Sequence, residues 1–123
     1  ILKKGHRPSI FLVEYNANYG PEKAVTIKYA SDFNYATAHN TRLYYGVSIM
    51  AWRQLFKKYS YDFVTVDSNG INAFFIQTNA FPKDFINKIE GCEFKDHVIE
   101  TETFKKPWNE RFKLIENMPY QEV

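Results

Sequence analysis

Residues 61–77 read YDFVTVDSNGINAFFIQ, two β-branched and aromatic runs on either side of Asn69-Gly70. Both turn residues tolerate positive φ, so the pair is the favoured two-residue turn of a β-hairpin. With that turn, Ser68 faces Ile71, Val66 faces Ala73 and Val64 faces Phe75. On the opposite side Phe63 pairs with Ile76 and Thr65 with Phe74. Both faces are therefore apolar. A hairpin with one face in water would alternate, so this one is expected inside a sheet covered on two sides.

Upstream of the hairpin, Gly46 to Ser60 has the clearest helical period. Ser48 can cap it, and Trp52, Leu55, Phe56 and Tyr59 fall on one stripe opposite Arg53, Gln54, Lys57 and Lys58. Further back, Ser9–Glu14 follows Pro8 as an almost continuously apolar run. That habit belongs to a central parallel strand buried on both faces. Between these elements, Ala24–Tyr29 can form a short extended piece, and Ala30–Tyr45 is a long aromatic and polar segment of the kind that is usually functional. Downstream, Pro82–Glu90 reads as a short helix with Phe85, Ile86 and Ile89 inward, ended by Gly91. Residues 92–106 read as a surface excursion. Pro107–Asn117 forms a last helix bearing Trp108, Phe112 and Ile115 or Leu114, and residues 118–123 trail off.

The chain has 123 residues, which suits a single domain or a fragment of one. Hydrophobic residues make up 45% and aromatics 18%, enough for a core and too much for disorder. Sixteen basic and fourteen acidic residues leave a formal charge of +2, with no electrostatic footprint for nucleic acid or a membrane surface. A single cysteine, Cys92, excludes an internal disulfide and fits a reducing, cytoplasmic setting. His6, His39 and His97 lack metal-ligand spacing, so no metal is expected. The opening ILKKG looks like a helix end closed by glycine, which suggests a cut with residues missing before it.

Three stretches carry a resemblance: EYNANYGP at 14–21, YYGVSIMAW at 44–52 and VDSNGINAFFI at 66–76. Together they resemble the C-terminal half of class I S-adenosylmethionine-dependent methyltransferases, of the FkbM-like branch, over roughly residues 1–81. The resemblance implies an α/β fold: the end of an open, mostly parallel Rossmann-like sheet finishing in an antiparallel hairpin and flanked by helices. In that fold the last strand slots between the two preceding ones. The family binds S-adenosylmethionine through a glycine-rich turn in its first half. No G-x-G occurs here, so the cofactor site is not expected in this chain.

In open α/β sheets ligands sit beyond the carboxyl ends of the parallel strands, which singles out Glu14 and Asn16. Glu14 is a candidate base for an acceptor hydroxyl, with His39 as the other candidate. Asn16 and Asn18 would orient the acceptor, or else simply form the turn before Gly20-Pro21. Tyr44 and Tyr45, crowded with Tyr19, Tyr29 and Tyr35, could line a pocket for a sugar or another flat, hydroxylated small molecule. Asn72 would point to the same rim, or pair with Asp67 at the hairpin end. Two functions follow: the acceptor-side half of an O-methyltransferase, or a non-catalytic binding or assembly module. The second could associate with its own kind through an exposed sheet edge.

Overall fold

The computed structural model describes residues 1–123. Strands β1 (Ile10–Glu14), β3 (Tyr61–Val66) and β4 (Asn72–Gln77) form one sheet, and β2 (Val25–Ile27) and β5 (Tyr120–Glu122) form a second. The helices are α1 (Tyr35–Ala38), α2 (Ile49–Lys58), α3 (Lys83–Asn87), α4 (Val98–Phe104) and α5 (Trp108–Lys113). No helix is long and apolar enough to cross a membrane.

The larger sheet corrects the expected fold class. Its order is β1-β4-β3, and β4 pairs antiparallel with both neighbours. Although β4 does lie between the other two, β1 and β3 share no backbone pairing, so the sheet contains no parallel ladder. Every pairing in the molecule is antiparallel, and a mostly parallel Rossmann-like sheet is excluded. Nor is β1 central. It is an edge strand whose inner side chains, Phe11 and Val13, meet the core while Ile10 and Leu12 are more than half exposed. Its apolar run covers two unequal faces, one packed and one largely open.

The hairpin forms with a different tip and one slip. A backbone bond from Gly70 N to Asp67 O puts Ser68 and Asn69 at the turn centre, and Gly70 follows at φ 72°. The Asp67 carboxylate closes this loop, accepting from Ile71 N (3.0 Å) and Asn72 Nδ2 (2.8 Å). Val66 pairs with Ala73 and Thr65 with Phe74, as expected. A bulge at Val64 then shifts the register, so that Phe63 meets Phe75 and Asp62 meets Ile76. The inner face is sealed by α2, where Phe56 stacks on Phe75 with ring centroids 4.2 Å apart. The outer face is only partly covered. Phe85 and Ile89 of the following segment are 54% and 38% exposed rather than inward.

Ser48 caps α2 as expected, its Oγ accepting from Ala51 N at 3.1 Å. The same oxygen accepts from Val25 N at 3.0 Å, tying β2 to the start of the helix. Two readings of the tail fail. Residues 120–122 form β5 against β2, closing a second core around Tyr19, Leu43, Tyr44 and Ile115. Within 92–106, α4 forms with His97 as its N-cap.

Candidate functional site

At the carboxyl end of β1, the indole nitrogen of Trp52 donates to the Glu14 carbonyl at 2.8 Å, pinning the strand end to α2. The chain then dives inward, and residues 15–20 are all buried. Here Asn16 and Asn18 act as internal connectors. Asn16 Nδ2 donates to the carbonyls of Leu43 (2.8 Å) and Tyr45 (2.9 Å), holding residues 43–45 beside the strand end. Its Oδ1 accepts from both the backbone and side-chain nitrogens of Asn18, each at 2.8 Å. Asn18 Nδ2 reaches on to Glu100 Oε1 at 2.9 Å, and Arg111 Nε donates to Asn18 Oδ1 at 2.7 Å. Arg111 is wholly buried, ion-paired with Asp96, and further bonded to Thr101 Oγ1 and the Lys106 carbonyl. Burying a guanidinium is tolerable only with this density of acceptors.

The network supports one wall of a cleft of about 1010 Å³. Glu14, Tyr35, Arg42, Tyr45, His97 and Glu100 are its principal polar and aromatic lining. Tyr35 and Tyr45 meet edge to face, with centroids 6.1 Å apart. Tyr45 Oη donates to Glu100 Oε2 at 3.2 Å. Burial first, and the neighbouring Glu100 carboxylate second, push the Tyr45 phenol well above its usual range. It therefore stays a donor. Both oxygens of Glu100 are thus fixed from the protein side by neutral groups. His97 Nδ1 accepts from Glu100 N at 3.0 Å, so its neutral ring carries the proton on Nε2. Arg42 stands in the left-handed region at φ 63°, an uncommon conformation for a residue with a side chain.

Of the candidates named from sequence, the cleft brings together Glu14 and Tyr45. Asn16 and Asn18 lie beneath it, fully buried and bonded to protein partners. Tyr44, one residue from Tyr45, turns the other way into the second core and donates to the Pro119 carbonyl. His39 is held in its own turn, Nδ1 at 2.8 Å from Thr41 Oγ1, off the cleft wall that Thr41 helps to line. Asn72 pairs with Asp67 at the hairpin end. There, burial tends to raise the Asp67 pKa, but hydrogen bonds from Ile71, Asn72 and Asn69 together outweigh it and lower the value.

Sequence reasoning missed His97 and Glu100. A signal existed: His97-x-x-Glu100 has the spacing of a capping box, with an acceptor at the cap and an acid three residues on. Nothing in the pattern could announce that this short helix would be laid against Asn18 and Tyr45.

The residues do not fit S-adenosylmethionine held in the methyltransferase manner. The five glycines are nowhere closer than 15 positions apart, so no turn offers successive glycine amides to a cofactor. No three His, Cys, Asp or Glu side chains converge to hold a metal ion. No protein-family model matches the chain, and neither a curated protein nor a solved structure matches it significantly.

Proposed function

We propose that the chain binds a small hydroxylated molecule, of the sugar class, in the cleft at the end of β1. The observation that carries this reading is the pairing of ring surface with fixed polar groups. Tyr35 and Tyr45 line the cleft with aromatic surface, while Glu100 is locked by Asn18 and Tyr45. Rings of this kind stack on the C–H faces of a sugar while carboxylates accept from its hydroxyls. A volume of about 1010 Å³ accommodates a ligand of monosaccharide or disaccharide size.

A second reading, O-methyl transfer to an acceptor hydroxyl, is favoured by the place of Glu14 on the cleft wall beside Tyr45. Glu14 would then take the hydroxyl proton; the other candidate base, His39, is tied to Thr41. This chain would contribute only the acceptor side.

One experiment addresses both. Amide chemical shifts are followed while glucose, galactose, maltose or S-adenosylmethionine is added to the full chain. Saturable shifts confined to residues 31–45 and 97–104 with a sugar, abolished in Tyr35→Ala, are the expected result. Under either reading S-adenosylmethionine should leave the shifts unchanged, and saturable shifts with it would overturn the assignment of the acceptor side alone to this chain. No saturable shift with any sugar overturns the sugar reading.

A further inference from the structure

The chemistry of Glu100 says more about the ligand than the aromatic walls do. Its carboxylate is half-buried, and both its protein partners, Asn18 and Tyr45, are neutral. The buried cation in the same network does not compensate it: Arg111 is committed to Asp96 and reaches only as far as Asn18. Tyr45 stays protonated and therefore neutral, so it neither adds to the charge of Glu100 nor offsets it. Around Glu100 the lining holds two further carboxylates, Glu14 and Asp32, against the single guanidinium of Arg42, and none of these is ion-paired. His97 also lines the cleft, with Nδ1 occupied as the cap acceptor of α4. On a chain of net charge +2, the cleft is therefore a local negative site.

A half-buried, rigidly oriented carboxylate without a cation is worth most to a ligand that brings one, because the desolvation cost is already met in the fold. Tyr35 and Tyr45 line the same cleft, and aromatic rings attract ammonium groups, which adds to the same preference. We propose that the cleft selects ligands bearing a protonated amine, an amino sugar rather than a neutral one, with Glu100 as the group that reads the charge. This rests on the cleft being a sugar-class site.

The test titrates glucose, glucosamine and N-acetylglucosamine into the wild-type chain and into Glu100→Gln, at low and at physiological salt. The three ligands share a ring and differ in the charge at one position. Glutamine keeps an acceptor for Asn18 and a partner for Tyr45, so the wall survives while the charge is lost. The expected result is glucosamine binding tighter than the other two by about tenfold at low salt, less at physiological salt, and Glu100→Gln reducing it to their level. Equal binding of all three sugars to the wild type overturns the charge selection and leaves the sugar site standing. An advantage of glucosamine that survives in Glu100→Gln overturns the role of Glu100. Failure of all three to bind removes the sugar site and the inference together.

Discussion

Gly70 is held twice over. Its φ of 72° lies in the left-handed region, and a Cβ there would stand 2.1 Å from the carbonyl oxygen of Asp96. The hairpin tip leans on residues 96–98 at this point, with Val98 N donating to the Asn69 carbonyl at 3.1 Å. Gly46 separates the two constraints, because it shares the positive φ (65°) but has no atom within 4 Å of a built Cβ. Gly46→Ala should cost about 1–2 kcal/mol from backbone conformation alone. Gly70→Ala should cost clearly more and displace the amide signals of Asp96 and His97, which chemical denaturation and amide spectra would measure. Equal costs would mean that the close approach at the tip does not constrain the fold. Around Glu100, too, single atoms decide the outcome. Its two oxygens have different partners: the chain from Arg111 through Asn18 holds Oε1, and the Tyr45 hydroxyl holds Oε2.

Among the elements, α2 anchors the end of β1 that meets the cleft. Its amphipathic stripe was legible from Trp52, Leu55, Phe56 and Tyr59, and its cap from Ser48. Trp52 does more than pack, since its indole fixes the strand end that carries Glu14. Ser48 likewise serves two elements, the first turn of α2 and the start of β2. Ser48→Ala should therefore cost the upper part of the usual cap range, about 2 kcal/mol, because Val25 N–H also loses its acceptor. A lowered urea midpoint at unchanged slope is the expected measurement; a loss of only a few tenths would show that the second bond is dispensable. The hairpin was equally legible as an element. Its register was not, because a bulge at Val64 leaves no mark in a run where every residue suits a strand.

At the scale of the molecule, two cores are joined through residues 15–19. Tyr15 and Ala17 belong to one core and Tyr19 to the other, with the asparagines bridging between them. This arrangement buries tyrosines in quantity. Tyr15, Tyr19, Tyr45 and Tyr120 all have pKa values raised above their ordinary 10.0, with burial the first cause in each. Unfolded, these phenols ionise near pH 10; folded, they keep their protons to higher pH. Their contribution to stability is therefore complete below about pH 10 and falls as pH rises through the folded values. The expected outcome is cooperative alkaline unfolding, with tyrosinate absorbance and loss of ellipticity developing together. Gradual titration of these phenols in a chain that stays folded would contradict the burial described here.

What the sequence determined by itself was local: the hairpin, α2 with its Ser48 cap, a strand at Ser9–Glu14, and short helices within 82–90 and 107–117. Each rests on residues within a few positions of one another, where period and turn chemistry act directly. Tertiary structure decided the rest. Whether β1 would be central or an edge depended on β4 inserting beside it, and an apolar run reads alike in both places. The pairing of β2 with β5 joins segments far apart in the chain and has no local signal. Glu14 and Tyr45 could be named in advance because they end an apolar run and sit in an aromatic segment. Glu100, His97 and Arg111 could not, since a charged residue has the same spelling on the surface as in a wall. Only the folding of α4 and α5 onto residues 15–20 supplies the acceptors that let Arg111 be buried and Glu100 be held.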